Sequence, residues 1–217
     1  MITASNAFLL AALVVIPFGA AHAQSKNLGS YVGTIDVSGT QHGPEVTYRA
    51  RVKVSMPISD RDGSSINAEF LAGEAPNASV LVSQWDSFHR EKSADSGGQF
   101  NTDTCTLAAP KEISMTVTGV LNVDLKKKRH AMSLVLLSAG PGGDLAFNCT
   151  HSRSGPYKKK GGIALAMGTG VPGMHYETQL PFSDASLLAA KYTLMPTADT
   201  QGQYGPIVQQ WELKLAP

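Results

Sequence analysis

The chain is poor in the residues that announce chemistry. It has two cysteines, Cys105 and Cys149, too few for a four-ligand zinc site and too widely spaced for a CxxC redox centre. Aromatics make up 7% of the chain, and Trp and Tyr do not recur at strand ends, so the paired aromatic girdles of an outer-membrane barrel are missing. Charge is sparse and balanced, with a net of +1. Such a balance gives no global pull toward nucleic acid or a membrane surface. Past residue 23 no apolar run approaches the roughly 20 residues of a membrane helix. There is no HExxH pair, no GxSxG elbow and no SxxK motif supported by a downstream KTG. Met167–Gly173 is rich in glycine, but strand-like sequence follows it, so no helix N-terminus stands ready for a phosphate. These absences turn the chain away from the common hydrolase and nucleotide-binding classes. No cofactor and no metal is expected.

What is present begins at the N-terminus. Ala7–Phe18 is a nearly unbroken apolar run, and Ala21-His22-Ala23 fits the small-x-small cleavage pattern, with the cut before Gln24. No Lys or Arg precedes the run, which departs from the usual signal. We expect residues 1–23 to be a cleaved export signal and residues 24–217 a single all-β domain, periplasmic or secreted. In an oxidising compartment an even cysteine count favours a Cys105–Cys149 disulfide. Asn77-Ala78-Ser79 and Asn148-Cys149-Thr150 match glycosylation sequons, which carry no weight behind a signal of bacterial appearance.

The mature sequence alternates with a period of two. Val46, Tyr48, Ala50, Val52, Val54 and Met56 fall on one face of a strand, with Thr47, Arg49, Arg51, Lys53 and Ser55 on the other. Ile113 to Val123 repeats the pattern. Met132, Leu134 and Leu136 answer it beyond Lys126–Arg129, as in a long hairpin. Further strands are expected at Tyr31–Val37, Ile66–Ala72, Ala78–Trp85, Leu145–Cys149, Ile163–Met167, His175–Leu180 and Val208–Leu215. Gly- and Pro-rich turns separate them. Trp211, Leu213 and Leu215 should share the buried face of the last one. Ser183–Tyr192 is helix-like, with Ser183 or Asp184 as cap. The expected fold is all-β, an antiparallel sandwich or flattened barrel, with at most one short helix near 183–192.

Candidate sites are few. Lys126, Lys127, Lys128, Arg129, Lys158, Lys159 and Lys160 hold seven of the 18 Lys and Arg in two predicted loops. If the loops met at one end of the sheet, they would form a seat for an anionic envelope component. Lysines at hairpin tips serve solubility equally well. Trp85, Asp86, Phe88 and His89 form a second candidate, an aromatic and polar cluster that ends at Glu91. His175, Glu177 and Gln179 would share a strand face, but the ligand set of a cupin-type site is incomplete. Asp60-Arg61-Asp62-Gly63-Ser64 lacks the ligands of a calcium loop and predicts a hairpin turn. The leading reading is a non-catalytic binding protein of the periplasm or cell exterior, partnered by an anionic envelope component or another protein. The alternatives are a structural or assembly subunit of an envelope or pilus-like complex, and a hydrolase whose site no motif reveals.

Overall fold

A computed structural model describes residues 28–42, 45–70, 78–92, 100–139, 145–163, 179–195 and 204–217. The expected export signal lies outside these residues, as do His175, Glu177 and nearly all of the two strands expected around 163–180. The strands are β1 (Ser30–Gln41), β2 (Glu45–Arg61), β3 (Ser65–Phe70), β4 (Ala78–Lys92), β5 (Phe100–Leu107) and β6 (Lys111–Asp124). They continue with β7 (Arg129–Ala139), β8 (Leu145–His151), β9 (Gly155–Gly161), β10 (Leu180–Pro181), β11 (Leu187–Leu194) and β12 (Tyr204–Ala216). All belong to one antiparallel sheet.

The connectivity is a meander whose middle passes are interrupted. β3 and β4 both run antiparallel to β2 and to β6, so they form one long pass with a break between them. β5 and β6 lie end to end along β4. β7 and β8 lie end to end along that pass, and β9 and β10 along the next. The last strand then pairs with the first, Ile35 opposite Trp211.

One face of the sheet holds the core. Ile35, Tyr48, Val52, Met56, Ile66, Met115, Val117, Leu121, Leu134 and Leu213 are all fully buried. Each large apolar side chain so buried contributes about 1.5–3 kcal/mol of transfer free energy. The opposite face carries exposed Arg49, Arg51 and Lys53. A barrel set in lipid would turn an apolar band outward there. The sheet curls so that its inner faces meet. Trp211 of β12 donates a hydrogen bond to His130 of β7 at 3.1 Å, although β1, β2, β3 and β6 separate those strands along the sheet. This is the expected all-β fold, one sheet closed on its own core. Among the described residues no helix is long and apolar enough to cross a membrane.

Two expectations need correction. Residues 183–192 form no helix: Asp184 accepts from the backbone N–H and the hydroxyl of Ser186, closing a tight turn, and β11 starts at Leu187. The Asp that reads as a helix cap makes an Asx-type turn instead. Leu188, Ala190, Tyr192 and Leu194 then alternate inward, a period of two that short apolar spacing conceals. Lys158–Lys160 do not lie in a loop either; they are consecutive residues of β9, paired with Asn148, Phe147 and Ala146.

The ends of the sheet differ. At one end lie the Asp62 turn, the Leu125–Lys128 turn and the Asp184 turn. At the other, β4 runs on past its last pairing with β2, at Phe88 opposite Glu45, and continues along β5 to Lys92. The outer part of β4 with β5, β8 and β9 makes a four-stranded extension.

Candidate functional site

The inner face of this extension is set by register. Ser87 faces Cys105, Cys105 faces Cys149, and Cys149 faces Tyr157. One step outward, His89 faces Asp103 and Asp103 faces His151. One step inward, Phe147 stands between Leu107 and Lys159. Side chains opposite one another across an antiparallel pair have Cβ atoms about 4.5–5.5 Å apart, so these residues form one contiguous surface.

The disulfide holds the middle of it. Cys105 and Cys149 are bonded across adjacent strands with Cα atoms 4.0 Å apart, as expected. Tyr157 reaches over the bridge: its hydroxyl lies 4.0 Å from Cys105 Sγ and donates to Asp103 Oδ2 at 2.7 Å. That bond to a carboxylate holds the Tyr157 hydroxyl above the usual phenol pKa. Asp103 Oδ1 is buried and accepts no hydrogen bond. On the inner side Trp85 packs against Phe147, ring centroids 4.8 Å apart. At the mouth, His89 Nε2 lies 3.7 Å from Glu91 Oε2. His151 Nδ1 accepts from the backbone N–H groups of Arg153 and Ser154. Its ring therefore braces the β8–β9 turn.

Between these groups is a cleft of about 270 Å³, bounded by Trp85, Ser87, His89, Asp103, Cys105, Phe147, Lys159, Gly161 and Gly162. Gly161 offers no side chain, and a Cβ there would meet open space. A depression of about 460 Å³ lies on the back of the extension around Thr106, Asn148 and Lys158. Two more, of about 480 and 490 Å³, lie on the outer face around Asp36, Arg51, Lys191 and Gln210. There Arg51 is already spent on Asp36 in a two-pronged pair, at 2.6 and 2.9 Å. We take the smaller cleft as the candidate site, because its polar groups are not satisfied by one another. No protein-family model, curated protein or solved structure matches this chain.

The sequence candidates divide across this geometry. Trp85 and His89 line the cleft, whereas Asp86 and Phe88 project from the other face of β4, as successive strand residues must. Asp86 accepts there from Gln84 Nε2 at 2.6 Å. The two basic segments do not meet. Lys126, Lys127 and Lys128 form the β6–β7 turn, where Asp124 accepts from the Lys127 backbone N–H, and Arg129 opens β7 and donates to the Gln179 carbonyl. Lys158–Lys160 belong to the opposite end. The length of β6 lies between them, about 40 Å of extended chain at 3.3 Å per residue. Of the three lysines on β9, Lys159 alone bounds the cleft. Asp103, Phe147 and Tyr157 complete the site without any motif to announce them.

Proposed function

We propose that this chain is an exported, non-catalytic binding protein whose ligand sits in the Trp85–Asp103–Lys159 cleft. The observation that carries the reading is a small concave site with an aromatic floor and unsatisfied polar groups. That is the usual make-up of a ligand pocket, although its volume of about 270 Å³ falls just below the range of about 300–1,000 Å³ common for drug-sized ligands. The disulfide is compatible with an oxidising, exported setting, periplasmic or extracellular. Ser87, His89 and Asp103 are residue types of a nucleophile–base–acid relay, but no hydrogen bond joins them, which favours binding over hydrolysis.

An assembly subunit would need an edge open to another chain. Among the described residues β9 and β11 end the sheet path; β9 carries three lysines and β11 carries Lys191, the residue type that discourages edge pairing. An anionic envelope component remains the proposed partner class for the basic residues. Contact with Lys126–Arg129 would be separate from contact with Lys159.

Native mass spectrometry of protein purified from an exporting cell tests the reading. A bound small molecule is expected, and its occupancy should fall when Trp85 is replaced by Ala. Trp211 is buried in the core, so quenching by acrylamide reports mainly on Trp85, and ligand should protect it. Protein that carries no small molecule, with Trp85 quenching unmoved by a small-molecule extract of the exported compartment, would refute the proposal.

A further inference from the structure

We infer that the cleft takes a small zwitterion of about dipeptide length, its cationic end at Asp103 and its anionic end at Lys159. The inference rests on the reading of the cleft as a ligand seat. Asp103 commits Oδ2 to the Tyr157 hydroxyl and leaves Oδ1 buried without a donor. A buried acceptor left unpaired is costly, and a charged N–H is its strongest partner. Lys159 bounds the same cleft, and among the described residues it pairs with no carboxylate, Asp103 included. Opposite charges in one cavity, unspent on each other, are complemented by a molecule that carries both. A sugar acid would satisfy Lys159 but bring no positive charge to Asp103.

Register sets the length. Asp103 on β5 and Lys159 on β9 have β8 between them, two strand spacings or about 9.5 Å. Asp103 is level with His151, and His151 with Gly155, four residues from Lys159. Four residues add about 13 Å along the strand, for a diagonal of about 16 Å between backbones. An Asp and a Lys side chain extended toward each other would cover roughly half of it. An extended dipeptide spans at most about 7 Å, which matches the remainder. A single α-amino acid is too short, and the volume of about 270 Å³ leaves no room for a long peptide. Trp85 supplies an apolar surface for one of the two side chains.

Isothermal titration calorimetry on the intact exported protein tests this, with alanyl-leucine, its N-acetyl form, its C-terminal amide and glucuronate as probes. Alanyl-leucine should bind best, and blocking either terminus should weaken it about tenfold or more, the range for a lost charge-assisted hydrogen bond. Asp103→Asn should remove the penalty for N-acetylation alone, and Lys159→Gln the penalty for amidation alone. The amide oxygen of Asn can still accept from Tyr157. Should that variant fail to fold, exposed Lys159→Gln carries the test by itself. Equal affinity for the free and blocked peptides overturns the inference, as does glucuronate binding tighter than the dipeptide. A native spectrum that shows a cleft-bound molecule of another class overturns it too, while leaving the binding reading intact. A native spectrum without any ligand, with Trp85 quenching unmoved by the extract, removes the underlying reading instead.

Discussion

The buried pair of Trp211 and His130 yields the sharpest stability prediction. Trp211 is 2% exposed and His130 1%. The indole N–H donates to His130 Nε2 at 3.1 Å, with the rings edge to face. Nε2 can accept only if it carries no proton, so the folded state requires neutral imidazole. Nδ1 has no hydrogen-bond partner of good geometry. Burial holds the His130 pKa below its ordinary 6.5, and the Leu180 backbone beside the ring offsets only part of that. Trp211→Phe keeps an aromatic ring but leaves Nε2 as a buried orphan, at a cost of about 1–3 kcal/mol. For a chain of this size each kcal/mol lowers Tm by about 2–4 °C. Trp211→Ala adds a cavity and should cost about 3–5 kcal/mol. Replacing both partners, His130→Leu with Trp211→Phe, should recover part of the loss, because no orphan acceptor remains. The pH arm has a definite sign. Below 6.5 the unfolded chain takes up a proton that the folded protein refuses until its own lower pKa is reached. This contribution is therefore complete above pH 6.5 and lost as pH falls, at up to about 1.4 kcal/mol per pH unit. Thermal melts and urea titrations between pH 5 and 8 measure both effects. A Trp211→Phe protein that melts within a degree of the parent, or a pH slope unchanged by His130→Leu, would refute the argument.

Three further outcomes are expected. Reducing the Cys105–Cys149 bridge, which closes a 44-residue separation, should cost up to about 4 kcal/mol on the chain-entropy estimate; calorimetry with and without dithiothreitol should show a lower Tm, and identical melts would deny the bridge a stabilising role. Gly33→Ala places a Cβ against the backbone carbonyl of Glu212 in β12, so the β1–β12 pair must part and stability should fall by about 1–3 kcal/mol. Gly63→Ala, which meets nothing within 4 Å, is the control that should leave the urea midpoint almost unmoved. Asp62 accepts the backbone N–H groups of Ser64 and Ser65 at 2.6 and 2.7 Å, which lowers its pKa from 3.8 to about 2. Its contribution is thus full above pH 3.8 and lost as pH falls toward 2; carboxyl NMR that finds an ordinary midpoint would show the turn to be open in solution.

How far the fold can be read from sequence depends on whether a strand buries one face and wets the other. β2 does so from Glu45 to Ser59, so Val46–Met56 writes a period of two that no helix could share. β9 does not. Its inward residues are Tyr157, Lys159 and Gly161, and a lysine pointing into a cleft erases the apolar signal that would mark a strand. β11 fails in another way, because Leu187 and Leu188 mimic helical spacing until Asp184 is seen to close a turn. The site follows the same logic across strands rather than along them. Trp85 and His89 are visible because they sit two turns of the alternation apart on one strand. Asp103, Phe147 and Tyr157 come from other strands and meet them only through register, which composition and spacing do not encode. The disulfide is the exception that could have supplied it. Once Cys105 and Cys149 are taken as a directly opposed pair on neighbouring antiparallel strands, counting two residues either way puts Asp103 opposite His151 and Leu107 opposite Phe147. The bridge between β5 and β8 also fixes which side chains converge, so the cysteines are the part of this sequence that carries long-range information about its site.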